Sequence, residues 1–515
     1  MRHKSENMRN KPDQAKIFAW SLRAEIEQKI TQLGEFAALI VSLMLQIIKL
    51  RAQITAQSIQ LTAKNDEVKA LTDELAILKV RMGKDSHNSS KPPSTDGLGK
   101  KTKSLRKPSG KPSGGQKGHK GSTLAWVQKP TRTIVCPLPE SCDGCGKPLQ
   151  QEAAQVSEKR QVIDVPPVEV ETTEYQTLTA ACQHCGRVHT SLFPPAVTER
   201  IQYGPRIKAI SVLLTQWHNL PYLRTSKLMS SLFNVNVSQG SLCKWVEKTA
   251  NLALPQVESI KTIVINSPVA NADESGIRVE KKLLWVHTVT TETATWYGIH
   301  PKRGIEAIKE LDVLPNYTGI LVHDCFSSYW KLSCQHALCN AHLLRELIAI
   351  EEETKQKWPQ QLAKFLIASN QLRLAAHLQG RPLSAEAIHA LTTHYEGILT
   401  EGEALNPRKT KRINQRGRIK QTDATNLLGR LRDHANEVLH FLRNPNVPFT
   451  NNTGERAFRM PKGKQKIAGC FRSAEGAQYY FTIRAYLDTM YKQGHDVFDV
   501  LLNLFWGTPI QPASG

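Results

Sequence analysis

A heptad pattern of apolar residues runs without a break from Leu33 to Met82. Its steps alternate between three and four residues, and thirteen of the fifteen positions are apolar. The positions are Leu33, Phe36, Ile40, Leu43, Ile47, Leu50, Ile54, Gln57, Leu61, Lys64, Val68, Leu71, Leu75, Leu78 and Met82. This regularity predicts a coiled coil through which the chain self-associates, with Gln57 and Lys64 as polar positions that set the register. A long helix packed on its own chain is the alternative.

Charge and hydropathy narrow the class of protein. The 515 residues exceed what one hydrophobic core usually holds, so three or four domains are expected. The chain has 68 lysines and arginines against 46 acids, and its net charge of +22 points to a polyanionic partner. Nucleic acid is the favoured partner, and an anionic membrane is the alternative. The longest apolar run, Phe36 to Ile48, is 13 residues long, whereas a membrane-spanning helix takes roughly 20. We therefore expect no membrane partner and a cytoplasmic, nucleoid-associated protein.

A segment rich in lysine, proline, glycine and serine follows the heptads. It begins with the sequence His87-Asn88-Ser89-Ser90-Lys91-Pro92-Pro93-Ser94. Between Gly97 and Gly121 it holds eight lysines or arginines and no acid. Such a composition predicts an extended linker that is attracted to phosphates, and a solvated tether without sequence readout is the simpler interpretation.

Two Cys-x-x-Cys pairs follow, Cys142 with Cys145 and Cys182 with Cys185, and a glycine comes directly after each pair. Paired cysteines in such knuckle turns are ligands of tetrahedral zinc, and four thiolates leave no open position for water. The pattern therefore predicts one structural Zn²⁺ in a ribbon-like module. The strand-like run 161–177 would form a hairpin between the knuckles, and four free thiols are the alternative.

Helical periodicity begins at Tyr203. It predicts one helix over Ile207–Trp217, a second over Tyr222–Phe233 and a third that opens with Ser238 as its N-cap. Three short helices are typical of a helix-turn-helix unit, and also of small helical bundles in general. The residues that would face a DNA groove are Gln239, Ser241 and Lys244.

Three acids stand out by their contexts. An apolar strand is predicted to end at Asp273, and a second apolar strand ends at Asp324. Asn and Thr residues before Glu455 are predicted to cap a helix that carries this acid inward. Carboxylates converging from two strands and a helix form a site for two hard cations, Mg²⁺ or Mn²⁺. Two such ions activate the attacking oxygen and stabilise the leaving oxygen of a phosphodiester displacement.

The order of motifs along the chain resembles one known family. The motifs are the heptads, the Asn-Ser-Ser-Lys-Pro-Pro segment, the Gly-Gly-Gln-x-Gly-His-Lys-Gly segment, the cysteine knuckles, Asp273-Glu274-Ser275, His323-Asp324, Cys339-x-x-His342-Leu343 and Asn451-Asn452-x-x-Glu455-Arg456. In this order they are similar to the insertion-sequence sixty-six family of transposases. The resemblance implies a ribonuclease-H-like catalytic core with a helical insertion, a triad at Asp273, Asp324 and Glu455, and companion proteins encoded by the same element. Ser275 and Lys117 stand where the family commonly has threonine and proline, and neither is a metal ligand.

Basic residues lie on both sides of Glu455. The run Arg408–Lys420 holds seven lysines or arginines, and Arg456–Arg472 holds six, both without an acid. We interpret these runs as a track for double-stranded DNA, although a solvated face would have the same composition. The residues predicted to contact DNA near the scissile phosphate are Arg303, Arg456, Arg459 and Lys466.

Cys339 and His342 lie one helical turn apart, shortly after Asp324. Since buried cysteine is usually inert, we expect both to pack in the core beside the active site. Metal ligation is the alternative.

The fold class expected from all this is multidomain α+β. The expected segments are an N-terminal tail at 1–32, a coiled coil at 33–82, a basic linker at 83–130, a zinc-binding module at 131–200, a helical DNA-binding module at 201–262, the catalytic core at 263–345 and 446–515, and the helical insertion at 346–445. The expected function is that of a transposase that cleaves the ends of an insertion sequence and joins them to target DNA. A zinc-containing DNA-binding regulator with an inactive core is the alternative, while a coiled-coil scaffold explains only the first hundred residues.

Overall fold

The computed structural model describes residues 35–83, 123–410 and 419–514, with a few more positions at 19–20, 22–23, 26, 85, 88–89, 118 and 120–121. The chain divides into two compact units, Met1–Thr102 and Lys103–Gly515. Several predictions concern residues outside the described ranges. These are most of the N-terminal tail, the start of the heptads at Leu33, most of the basic linker, and positions 411–418 of the basic run.

One long helix, α1 (Glu35–Gly83), carries the heptad pattern in the first unit. The predicted helix is therefore confirmed. Ten apolar residues of the stripe, from Ile40 to Leu78, are 48–65% exposed. The apolar stripe is thus open along the helix. Among the described helices, α1 included, none has the length and apolar character that crossing a membrane requires.

Both cysteine pairs form the same turn. In the first, the Cys142 N–H donates to the carbonyl of Lys147, and the Gly146 N–H donates to the carbonyl of Cys142, at 2.9 and 2.8 Å. The turn at Cys182 repeats both bonds. Gly146 and Gly186 have φ of +72° and +73°, a left-handed conformation that glycine adopts without steric cost. The glycine after each pair is therefore what lets the knuckle close.

The hairpin of this region lies elsewhere than the sequence predicts. Strands β1 (Thr179–Ala181) and β2 (Val188–Thr190) pair antiparallel around the second knuckle. The run 161–177, expected to form a hairpin between the knuckles, is extended and contains no strand. That prediction is wrong. Pro166 and Pro167 remove two backbone donors from the run, and alternation of valines cannot compensate for the lost ladder bonds.

Three helices follow as predicted, α2 (Pro205–Val212), α3 (Tyr222–Phe233) and α4 (Gln239–Ile265). A π-helical turn continues α2 to Trp217. Ser238 caps α4, since its hydroxyl accepts the N–H of Ser241 at 3.0 Å. However, α4 is 27 residues long rather than short. Its buried face belongs to the same hydrophobic core as the sheet described next, so these helices are part of the body that holds the sheet.

A five-stranded mixed sheet forms the centre of the second unit. Its strands are β3 (Val269–Val279), β4 (Lys282–Thr290), β5 (Thr295–His300), β6 (Ile320–His323) and β7 (Gln335–Leu338). Their order across the sheet is β5-β4-β3-β6-β7. The first three form an antiparallel meander, whereas β6 runs parallel to β3 and β7 parallel to β6. Helix α5 (Ile305–Leu311) lies in the connection from β5 to β6.

Helices fill the interval between the second and third acids, as predicted. They are α6 (Asn340–Thr354), α7 (Trp358–Leu378), α8 (Ala385–Leu405), α9 (Asp423–Asp433), α10 (Ala435–Val438) and α11 (His440–Arg443). The last three of these helices are separate because the backbone leaves helical geometry at His434 and Leu439. These helices pack a second core, which includes Trp358 and Tyr395 and reaches the sheet at Val322.

Four helices complete the chain, α12 (Asn452–Ala457), α13 (Arg459–Ala468), α14 (Ala474–Lys492) and α15 (Val497–Trp506). Helix α14 contacts both α4 and β5. Its aromatic residues Tyr480, Phe481 and Tyr486 are fully buried there. The end of the described chain therefore covers the sheet and the helices that precede it.

Candidate active site

Asp273 lies in the middle of β3, not at its end as predicted. The strand continues because Glu280 and Lys281, with φ of +50° and +66°, form a two-residue turn that leads directly into β4. No glycine or asparagine signals this turn in the sequence. The parallel pairing of β3 with β6 nevertheless stops at Asn271, two residues before Asp273. Asp273 thus lies just beyond the carboxyl end of the parallel part of the sheet.

Asp324 follows β6 directly, which confirms the predicted strand ending in an acid. One of its carboxylate oxygens accepts the N–H of Phe326 at 3.0 Å. Because β3 and β6 are adjacent and parallel, Asp273 and Asp324 emerge at the same edge of the sheet.

Glu455 lies in the first turn of α12, on a helix as predicted, but Asn451 does not cap that helix. The Asn451 amide instead donates to the carbonyl of Ala272 at 2.7 Å, and its side-chain oxygen accepts the amide of Asn271 at 2.8 Å. Asn451 is 2% exposed. It therefore attaches the helix that carries Glu455 to the strand that carries Asp273.

The three acids are close enough to affect one another. Burial raises the pKa of Asp273 well above its usual range, and the charges of Glu274 and Asp324 raise it further, with a smaller contribution from Glu455. The N–H of Glu274, which donates to Asp273 at 2.8 Å, opposes the rise. Like charges held together in a partly buried cleft disfavour ionisation. The fold thus brings several carboxyl groups together at the edge of the sheet, where ionisation of Asp273 is disfavoured.

Glu274 is a fourth acid that sequence reasoning passed over. Its side chain is 1% exposed and accepts bonds from Nε and Nη2 of Arg303, at 2.9 and 2.6 Å, and from the hydroxyl of Tyr329. Burial and Asp324 raise its pKa, while Tyr329 and Arg303 lower it. Arg303 also stacks on the rings of Trp285 and Phe326. The arginine predicted to contact DNA is therefore engaged in holding Glu274.

Cys339 is buried, as expected, and it is the residue before α6. His342 lies in the first turn of the same helix, and its Nε2 is 3.8 Å from Oε1 of Glu455. Ligand atoms of Cys339, His342 and Glu455 all lie within 4.8 Å of one another. The third acid thus meets two residues for which the sequence favours core packing, with metal ligation as the alternative.

The four knuckle cysteines stand in two separate pairs. Backbone N–H groups of Gly144 and Cys145 lower the pKa of Cys142, and those of Cys185 and His184 lower the pKa of Cys182. Within the described residues, however, the four sulfurs do not come together as one ligand group. The knuckles are formed, and their joint zinc site stays a prediction.

The residues predicted to contact DNA divide by exposure. Arg456, Arg459 and Lys466 are exposed on α12 and α13. Gln239 and Lys244 are exposed at the start of α4, where Ser241 is half-buried. Two other members of the same basic run face inward and bind backbone carbonyls. These are Lys462, 2.6 Å from the oxygen of Gly276, and Lys464, whose pKa burial lowers to about 8.

Fold and site together are those of a mixed α+β protein with an acidic centre at the edge of its sheet and exposed arginines beside it. A family model described as transposase IS66 family matches residues 200–479, which is more than half of the chain and includes all three acids. The chain belongs to this transposase family. A second model, described as a family of unknown function (DUF6444), matches residues 5–125. A search of curated proteins found no match.

Proposed function

We propose that this transposase cleaves the ends of its insertion sequence and joins them to target DNA at one site formed by Asp273, Asp324 and Glu455. The observation that supports the proposal is that Asp273 and Asp324 lie at the same edge of the sheet, and that Asp324 and Glu455 are both close enough to raise the pKa of Asp273. The ligand atoms of the three acids do not form a group as compact as that of Cys339, His342 and Glu455 within the described residues. Three oxygen donors from separate elements suit phosphodiester chemistry with hard cations. No covalent link between the protein and DNA is needed.

The sheet supports a ribonuclease-H-like assignment for the core. An antiparallel meander of three strands is extended by two parallel strands, and the first strand of the meander lies at the centre of the sheet. The acids follow the paired part of the two central strands, β3 and β6. The helices α6 to α11 form the insertion between the second and third acids.

The donor set fits two Mg²⁺ or Mn²⁺ ions. All three proposed ligands are carboxylates, and Oε1 of Glu455 is buried without a hydrogen-bond partner among the described residues. When bound, such ions activate the attacking oxygen and stabilise the leaving oxygen of an in-line displacement. The three acids hold the ions, Asn451 positions the helix of Glu455, and the pair of Arg303 with Glu274 positions the strand of Asp273.

Exposed cations beside the site provide a path for DNA. Arg456 follows Glu455 directly on α12, and Arg459 and Lys466 lie on the next helix, α13. We infer that these residues neutralise phosphates near the scissile bond, and that Gln239, Ser241 and Lys244 contact DNA at the start of α4. The helix start also favours a phosphate, because its free N–H groups point outward.

The long helix α1 and the cysteine knuckles have roles outside the catalytic site in this proposal. We propose that α1 pairs with α1 of another copy through its exposed apolar stripe, so that two DNA ends are held by one complex. The two knuckles bind one structural Zn²⁺ through Cys142, Cys145, Cys182 and Cys185, since their N–H bonds to sulfur favour the thiolate form. Companion proteins of the same element and a location on the nucleoid complete the proposal.

Cleavage and strand transfer test the proposal directly. The substrate is DNA that carries the sequences flanking the reading frame, incubated with Mg²⁺ and the full chain. Asp273→Asn, Asp324→Asn and Glu455→Gln should each lower the rate by roughly 10³-fold, since several kcal/mol of transition-state stabilisation is lost. Glu258→Gln is the matched control, because Glu258 is an exposed acid of α4, an element that carries none of the three acids.

DNA binding is measured in parallel by mobility shift. Loss of cleavage with retained binding in the three variants, and normal cleavage by the control, supports the triad. Cleavage that survives any of the three substitutions contradicts it. Binding without cleavage by every form, even with the other products of the element added, supports the regulator instead.

A further inference from the structure

The proposed triad does not account for every chemically active group at the site. Cys339, His342 and Glu455 each direct one ligand atom to a common point, with all three atoms within 4.8 Å of one another. They form the one group of three or more such residues found in the part of the chain that the structure describes. Only Glu455 has a role in the proposed chemistry, so Cys339 and His342 need an explanation of their own.

The backbone fixes this cluster from two sides. The Cys339 N–H donates to the carbonyl of His323 at 2.9 Å, which ties the start of α6 to the end of β6. The N–H of Asn451 donates to Sγ of Cys339 at 3.0 Å, and this bond connects the segment before α12 to the same cysteine. The sulfur, 112 residues before Asn451, is thus held beside Glu455 by hydrogen bonds as well as by packing.

Two buried polar atoms in the cluster have no hydrogen-bond partner among the residues that the structure describes. They are Nδ1 of His342 and Oε1 of Glu455. The closest approach of the two residues, 3.8 Å between Nε2 and Oε1, exceeds hydrogen-bond distance. Buried polar atoms nearly always have a partner, so an unpartnered carboxylate oxygen and one unpartnered ring nitrogen beside a thiol indicate a missing ligand.

We propose that Cys339, His342 and Glu455 bind a transition-metal ion of the zinc class. Sulfur, imidazole nitrogen and carboxylate oxygen are the three donor types that Zn²⁺ accepts, and three protein ligands leave its fourth position open. Mg²⁺ disfavours both sulfur and imidazole, so this site selects a different metal from the carboxylates of Asp273 and Asp324. The site shares Glu455 with the proposed catalytic centre and does not depend on strand transfer.

Binding is balanced by release of one proton. The metal–sulfur bond forms as the S–H bond of Cys339 breaks, and the proton passes to solvent. His342 would bind through an unprotonated ring nitrogen and Glu455 through a carboxylate oxygen. The bound metal would therefore take the place of the buried thiol proton, and each of the three side chains would gain a ligand bond to it.

Metal content tests the site without DNA. The full chain is prepared with Cys142→Ser, Cys145→Ser, Cys182→Ser and Cys185→Ser, so that knuckle zinc does not contribute. Zinc per chain is measured after dialysis, and Co²⁺ replaces zinc to report a thiolate–metal charge-transfer band in the near ultraviolet. Cys339→Ser and His342→Asn are then added singly, and Cys334→Ser is the matched control, a buried cysteine five residues earlier.

The chain with the four knuckle substitutions should bind one zinc ion and show the Co²⁺ band, and so should the same chain with Cys334→Ser added. Cys339→Ser should lose the band, and each ligand substitution should weaken zinc binding by more than roughly 100-fold, since even changes to residues that only orient a metal ligand cost about 10–100-fold. Circular dichroism and the unfolding temperature establish that the variants are folded. The proposed site is overturned if a folded Cys339→Ser variant keeps both the zinc and the Co²⁺ band. It is also overturned if the chain with the four knuckle substitutions binds no zinc. Neither result bears on DNA cleavage.

Discussion

Replacing Asn451 with alanine removes two buried hydrogen bonds from the connection between α12 and β3. The bonds are those from Asn271 to the Asn451 side-chain oxygen and from the Asn451 amide to the carbonyl of Ala272, at 2.8 and 2.7 Å. All three residues are at most 5% exposed. The amide of Asn271 and the carbonyl of Ala272 would therefore remain buried without these partners.

The expected cost follows from those two orphaned groups. Each buried polar group left without a partner costs about 1–3 kcal/mol, so Asn451→Ala should destabilise the core by about 3 kcal/mol. This corresponds to a lowering of the unfolding temperature by roughly 6 °C or more, at about 2 °C for each kcal/mol in a large domain. Displacement of Glu455 by about 1 Å should also slow DNA cleavage by about 100-fold.

Scanning calorimetry of the full chain measures the first effect, and the cleavage assay measures the second. Asn452→Ala is the control, since Asn452 is the next residue and is exposed. It should change stability by less than about 0.5 kcal/mol. An unfolding temperature for Asn451→Ala within 1 °C or so of the control would refute the role of Asn451 as a clamp.

Three further predictions follow from other contacts. Arg303→Met leaves the buried carboxylate of Glu274 without its cation and should destabilise the core by about 3 kcal/mol, and adding Glu274→Gln should recover most of this loss in a double-mutant cycle. Burial lowers the pKa of His287 to about 4, below the usual 6.5, so its contribution to stability is fully present above pH 6.5 and is lost as the pH falls toward 4. His287→Gln should therefore flatten the fall in unfolding temperature between pH 6.5 and 4, and an unchanged slope contradicts this assignment. Ile54→Lys with Leu61→Lys places charges on the exposed stripe of α1 and should reduce the oligomer mass in sedimentation, whereas an unchanged mass argues against pairing through α1.

Elements with a strong local pattern were predictable from the sequence. The heptads predicted α1, the spacing of apolar residues predicted the bounds of α3, and a serine before an apolar stretch predicted the cap of α4. In each case, the signal lies within about one helical turn of the residues it describes. The apolar strand that ends at Asp324 belongs to the same class.

Features that depend on a distant segment were not predictable. The length of β3 depends on a turn at Glu280 and Lys281, whose side chains give no sign of positive φ. Asn451 is of a residue type that often caps helices, but its hydrogen-bond partners lie 179 and 180 residues earlier in the chain. The same residue type serves both roles, and only the tertiary fold distinguishes them.

Charge alone does not show which way a basic side chain points. A basic run was interpreted as a DNA track, yet Lys462 and Lys464 within it bind backbone carbonyls of the core. Arg303 was chosen as a DNA contact, and it pairs with an acid next to Asp273. A sequence shows how many charges a segment carries, but their direction depends on the surfaces against which the segment packs.

The burial of α4 and β5 depends on α14, which is synthesised long after them. Helix α4 and strand β5 are made early, but the helix that covers them begins only at Ala474. At a synthesis rate of about 5–20 residues per second, the apolar faces of α4 and β5 wait on the order of ten seconds or more for their cover. A chain terminated before α14 would keep those faces open to chaperones and proteases.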